Sequence, residues 1–142
     1  MSIEKRLNMT NKIATYKHSR SVDEKGRVYA SALRQYGSDL VIATSSVFGG
    51  FDNNCLYLCP KSEFEKRVKT LIEKCPNLRA IQRMERWLGT NSAECRFDSD
   101  GRIKILENLR RSIGMPIGMP TSVSIKELYE VDKILKICYE KE

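Results

Sequence analysis

Apolar residues recur along the chain at two different spacings. Between Pro60 and Pro76, the residues Phe64, Val68, Leu71, Ile72 and Cys75 fall three and four apart, the spacing of a helix with one buried face. Ser62 and Glu65 have the separation of a capping box, and Pro76 stops the run. A second helix is predicted from about Asn77 to Leu88, with Leu78, Ile81, Met84 and Leu88 on one side and Gly89 ending it. Arg79, Arg83 and Arg86 lie on its other side, which is read as a solvated face. The remaining apolar runs are short and read as strands: 40–43 and 55–59 flank a Gly49-Gly50 loop, and 123–125 and 134–139 occupy the corresponding parts of the second half. Residues 106–113 are predicted to form a short helix.

The correspondence between halves is carried by a repeat. Val-Asp-Glu-Lys-Gly-Arg-Val at 22–28 and Phe-Asp-Ser-Asp-Gly-Arg-Ile at 97–103 share one pattern and lie 75 residues apart, as a tandem duplication would leave them. Asp at the first position and Gly at the fourth are the residues favoured there by a type I turn. Asp23 with Gly26, and Asp98 with Gly101, are therefore expected to form two turns, after which Arg27 and Arg102 open the next strands in fixed positions. Each motif is followed by a short apolar stretch and Leu-Arg, at Leu33-Arg34 and Leu109-Arg110, with the register shifted by one residue. A calcium loop is excluded, since an EF-hand needs Gly at its sixth position and Glu at its twelfth.

Charge changes the picture because it is uneven. Of a net +7, residues 1–35 carry eight basic and three acidic side chains, a net of +5. Such clustering attracts polyphosphates such as DNA through counterion release, although a mildly basic chain also serves solubility alone. No stretch approaches the roughly eighteen apolar residues of a membrane span, and the start lacks the apolar core of a secretory signal, so the protein is expected in the cytoplasm. In that compartment Cys55, Cys59, Cys75, Cys95 and Cys138 are expected as reduced thiols. No spacing of a metal site, phosphate loop or nucleophile motif is present, and His18 is the single histidine. Neither catalysis nor a cofactor is expected.

The segments Asp-Glu-Lys-Gly-Arg at 23–27, Cys-Leu-Tyr-Leu-Cys-Pro-Lys-Ser-Glu-Phe-Glu at 55–65, and the run from Gln82 to Arg102 together resemble the MraZ family of bacterial transcription factors. The resemblance implies an α+β fold in which two tandem AbrB-like swapped-hairpin β modules form one pseudo-symmetric body bridged by two helices. It divides the chain into a polar leader at 1–12, a first module at 13–61, a helical bridge at 62–89 and a second module at 90–142. It further implies a nucleoid-associated, ring-like homo-oligomer on double-stranded DNA carrying promoter repeats. Lys25 and Arg27 match the family's DNA-contacting motif and Arg102 its second copy, and Arg20 and Arg34 are the further basic candidates near the first turn. The sequence departs from the family after Arg27, where residues 28–34 are one residue short and lack the usual proline. A divergent oligomeric module without useful DNA affinity is the alternative.

Overall fold

A computed structural model describes residues 16–127 and 133–140; the polar leader at 1–12 and the start of the first module lie outside them. The described residues form a mixed α+β protein organised on an antiparallel sheet. Strands β1 (Tyr16–Val22), β2 (Arg27–Tyr29), β3 (Asp39–Thr44) and β4 (Cys55–Pro60) are followed by helices α1 (Lys61–Glu73) and α2 (Leu78–Asn91). Strands β5 (Ser92–Arg96) and β6 (Arg102–Lys104), helix α3 (Glu107–Ser112) and strands β7 (Thr121–Glu127) and β8 (Leu135–Cys138) complete the order. The six-stranded sheet runs β1-β7-β8-β4-β3-β5, and β2 pairs with β6 in a separate ribbon. Exchanging each strand for its counterpart in the other half reverses that order onto itself. The first strand of each half pairs with the third strand of the other, β1 with β7 and β5 with β3, so the halves are interlaced.

Side-chain alternation explains the layers. Leu40 and Ile42 point to one face of β3 and Val41 and Ala43 to the other, and all four are buried. On the first face Leu40 and Ile42 join Leu56, Leu58, Leu135 and Ile137 in the main core, closed by Val28 and Ile103 from the ribbon and by Leu33 and Leu109. On the second face α1 and α2 cover Ala43 and Val47 with Phe64, Val68, Leu71, Met84 and Leu88. This second cluster is thinner, and α1 buries no residue completely.

The short ribbon carries the local two-fold. Val28 faces Ile103 at its centre, with Arg27 opposite Lys104 and Tyr29 opposite Arg102. At its ends Ala30 N–H donates to the Gly101 carbonyl at 3.3 Å, and Ile105 N–H to the Gly26 carbonyl at 2.8 Å. The residue shift between halves has a visible consequence beyond it. In the first half the segment carrying Leu33 is a 3₁₀ turn, Ser31–Tyr36, whereas its counterpart carrying Leu109 is α-helical, because the tighter 3₁₀ winding gives a different rise per residue.

Four expectations are corrected. Helix α1 starts at Lys61 with Pro60 as its N-cap and no side-chain cap; Ser62 lies inside the helix, so no capping box forms. Helix α2 runs through Gly89 to Asn91. One of its last four carbonyls is taken up by a side chain instead, Ser92 Oγ donating to Leu88 O at 2.5 Å, without a left-handed glycine. Leu78, placed on the buried side by periodicity, is 69% exposed. Finally, Cys55 and Cys138 are bonded to each other. They lie directly opposite in the β4–β8 pairing, with Cα atoms 4.2 Å apart, a proximity created by a register 83 residues long in sequence. Cys59, Cys75 and Cys95 remain free thiols, and burial pushes those of Cys59 and Cys95 up to about 12.

Because Val28 and Ile103 join the ribbon to the sheet, Ile103→Ala is expected to cost about 2–5 kcal/mol. Urea unfolding followed by circular dichroism measures it.

Candidate nucleic-acid interface

Both motifs fold into tight turns around their aspartates. In the first, Gly26 N–H donates to Asp23 O at 2.9 Å and Asp23 N–H to Arg27 O at 3.0 Å; in the second, the equivalent bonds are 3.1 and 2.8 Å. Gly26 and Gly101 have φ of 85° and 78°, the left-handed conformation that follows a type I turn in a three-residue hairpin and that glycine adopts at little cost. Each aspartate then organises its own loop. Asp23 Oδ1 accepts from Lys25 N at 3.0 Å and Arg27 N at 2.8 Å, while Oδ2 accepts from Arg27 Nε at 2.6 Å. Asp98 repeats the arrangement with Asp100 N, Arg102 N and Arg102 Nε at 2.9, 2.9 and 3.2 Å.

The turns share a frame and differ in charge. The residue before the glycine is Lys25 in one and Asp100 in the other. Around Arg102, Nε is held by Asp98, Nη2 by Asp100 at 3.0 Å, and Nη1 lies 3.7 Å from Asp23 Oδ2, so all three nitrogens face carboxylates. The same guanidinium stands 5.9 Å from the Tyr29 ring centre. Around Arg27 only Nε is engaged, by Asp23, and among the described residues its two terminal nitrogens meet no acceptor. Lys25 is exposed beside it. The first turn is formally neutral, with Asp23 and exposed Glu24 against Lys25 and Arg27, but it leaves Lys25 and the terminal nitrogens of Arg27 unpaired among the described residues, whereas the second turn pairs its one arginine with its own carboxylates.

The other basic candidates are placed apart. Arg20 is exposed on β1, its Nη1 donating to Ser19 O at 3.4 Å. Arg34 reaches into the second half, its guanidinium 5.6 Å from the centre of the Phe97 ring, a cation–π distance. Arg110, its counterpart after the second motif, reaches the opposite way: it is 5% exposed and packs against Gly26. Sequence reasoning gave Arg110 no role, although the repeated Leu-Arg after each motif marks it as the partner of Arg34. Arg79, Arg83 and Arg86 form an exposed stripe on α2. A groove of about 740 Å³ lies between α1 and edge strand β5, lined by Val41, Phe64, Val68, Ile72 and Ala93 and rimmed by charged side chains. Among the described residues no group of three or more His, Cys, Asp or Glu could hold a metal ion, and no helix is long and apolar enough to cross a membrane.

These features define a class: a duplicated α+β protein whose interlaced halves bring together two Asp-x-x-Gly-Arg turns, one with an unpaired lysine and a partly free arginine, the other with its arginine held by carboxylates. No family model matches the chain. Among curated proteins it is similar to the transcriptional regulator MraZ of Methylococcus capsulatus, 36% identical over 100 residues that cover 66% of this chain and 62% of that protein. The MraZ proteins of Heliobacterium modesticaldum, 33% identical over 67% of this chain and 62% of that one, and Desulforamulus reducens, 29% identical over 80% of each, are similar too. The chain belongs to the MraZ family. It spans about 62% of the length of the first two of these relatives.

Acid should loosen both turns. Burial works to raise the Asp23 carboxyl, but the hydrogen bond from Arg27 N, the Arg27 guanidinium and Lys25 N outweigh it and hold the group below its ordinary 3.8. At Asp98 the hydrogen bond from Arg102 N lowers the carboxyl against burial, aided by Asp100 N and the Arg102 guanidinium. A folded value below the unfolded one means a contribution fully present above the unfolded value and lost as pH falls through the folded value. An Asp23→Asn, Asp98→Asn double variant is expected to unfold at lower urea than wild type at neutral pH. The gap should narrow as pH falls from about 5 to below the carboxylate range, as read from urea midpoints across a pH series.

Proposed function

We propose that this protein is a sequence-specific DNA-binding transcriptional regulator of the MraZ type, which binds tandem promoter repeats as a homo-oligomer in the cytoplasm, at the nucleoid. The observation that carries this reading is the first turn, where Lys25 and the terminal nitrogens of Arg27 are free among the described residues while the backbone N–H groups of Asp23, Lys25, Gly26 and Arg27 are all bonded within the turn. A rigid loop offering an arginine fork suits phosphate contact or bidentate reading of guanine in the major groove. The names of the similar proteins, each a transcriptional regulator, support the same reading.

The interlaced halves are taken to be tandem swapped-hairpin modules, the first at 13–61 and the second at 90–142, with 62–89 as the helical bridge. Within that scheme Lys25 and Arg27 are the main DNA contacts and Arg20 flanks them. Arg102 and Arg34 contribute less, because the first is held by carboxylates and the second lies over Phe97. Oligomerisation is favoured by the apolar groove beside the open edge of β5, since uncovered apolar surface and unpaired strand edges are features that association removes. Linked weak contacts then select repeated sites through effective concentration.

The test is a gel shift on DNA carrying the tandem repeats upstream of the source organism's division and cell-wall gene cluster, against scrambled DNA and across a salt series. Wild type is expected to shift the repeats selectively, with affinity falling steeply as salt rises. Arg27→Ala and Lys25→Ala should each reduce the slope of log affinity against log salt by about one, and Arg102→Ala by much less. Correctly assembled wild type with no selective shift would favour an interaction module without useful DNA affinity.

Assembly has its own check. Ile72→Glu, which puts a charge into the groove, is expected to lower the mass seen by light scattering while leaving the far-ultraviolet circular dichroism unchanged.

A further inference from the structure

Arg110 occupies a position that charge alone does not explain. It is 5% exposed, its Nε has no hydrogen-bond partner, and among the described residues no carboxylate pairs with it. A donor withdrawn from water without a partner costs free energy, so the fold holds the Nε of Arg110 there against its own hydration. Its neighbour is the backbone of the first turn: a Cβ built on Gly26 would stand 2.8 Å from Arg110 Cζ, from Arg110 Nε and from the Ile105 carbonyl. No side chain fits between the guanidinium and the turn. Arg110 enters from α3 in the second half, so the charged turn of the first half rests on an arginine of the other.

We propose that Arg110 is the positioning residue of the first turn. It holds the Gly26 backbone from beneath, so that Lys25 and Arg27 are presented together, and it adds unspent positive charge under them without touching DNA. The inference rests on the DNA-binding reading and deepens it. Arg34, the counterpart of Arg110, is exposed and lies over the Phe97 ring.

The experiment measures affinity for repeat DNA across a salt series, using the full chain as wild type, Arg110→Met, Arg110→Lys, Gly26→Ala and the Gly26→Ala, Arg110→Met double variant. Thermal melting of each variant accompanies the binding. Arg110→Met keeps the reach of the side chain and removes the charge; it is expected to weaken binding roughly tenfold at low salt, the scale of one unit charge acting a few ångströms away in a partly screened site. The salt slope should change by less than the full unit that a lost phosphate contact removes. Arg110→Lys, which restores the cation, should recover part of the affinity. The losses of Gly26→Ala and Arg110→Met should be strongly non-additive, as for two groups acting through one contact.

Wild-type affinity in Arg110→Met overturns the proposal, as does a slope reduced by one or additive losses in the double variant. Should Arg110→Met fail to fold, Arg110→Lys is read by the same cycle with Gly26→Ala, and additivity there overturns the proposal equally. Failure of folded wild type to bind the repeats overturns the DNA-binding reading and this proposal with it; binding by wild type that is unchanged in Arg110→Met overturns the proposal alone.

Discussion

The three-residue pairing of β2 with β6 is the constraint on which the rest of the molecule depends. It joins the outgoing strand of one turn to that of the other, and it is sealed at both ends by hydrogen bonds to the Gly26 and Gly101 carbonyls. Val28 and Ile103 at its centre are fully buried over the large sheet, so the ribbon also closes the main core. With the ribbon in place, β1 and β5 leave the two turns in opposite directions and reach the partner half's third strand. Interlacing is thus a consequence of putting the two turns back to back, and neither half has a complete sheet of its own.

That geometry brings unlike turns within reach of each other. Asp23 serves its own loop and also lies within ion-pair distance of Arg102, so the acidic group of the first turn helps to quench the arginine of the other. The exposed ion pairs involved contribute little to stability individually; their effect is on where charge is available. A duplicated frame has been kept while Lys25 against Asp100 leaves an exposed cation beside one arginine and a second carboxylate beside the other.

What could be read from the sequence was what local chemistry determines. Strands β3, β4, β7 and β8, the short helix α3 and the existence of both longer helices follow from spacing, because burial of one face imposes a period that the chain itself displays. Helix ends were misread at Ser62, where α1 starts after Pro60 without a side-chain cap, and at Gly89, where α2 continues to Asn91 and Ser92 takes up the Leu88 carbonyl. The exposure of Leu78 depends on what packs against α2, which periodicity does not encode. The Cys55–Cys138 bond depends on strand register, and the burial of Arg110 under Gly26 on the interlacing itself; both are products of residues distant in sequence. Arg34 shows the same limit from the other side, since its proximity to the first motif in sequence hides its reach to Phe97.

The unequal turns give the molecule a polarity. A body with two equivalent charged tips looks the same after half a rotation, and a protein of that kind is matched to inverted half-sites, as two-fold dimers are to palindromes. A body with one charged tip and one quenched tip has lost that equivalence. Copies set side by side with their charged tips facing the same way would meet a duplex as a row of identical marks, all pointing along one strand. Direct repeats have that directionality, and a palindrome does not.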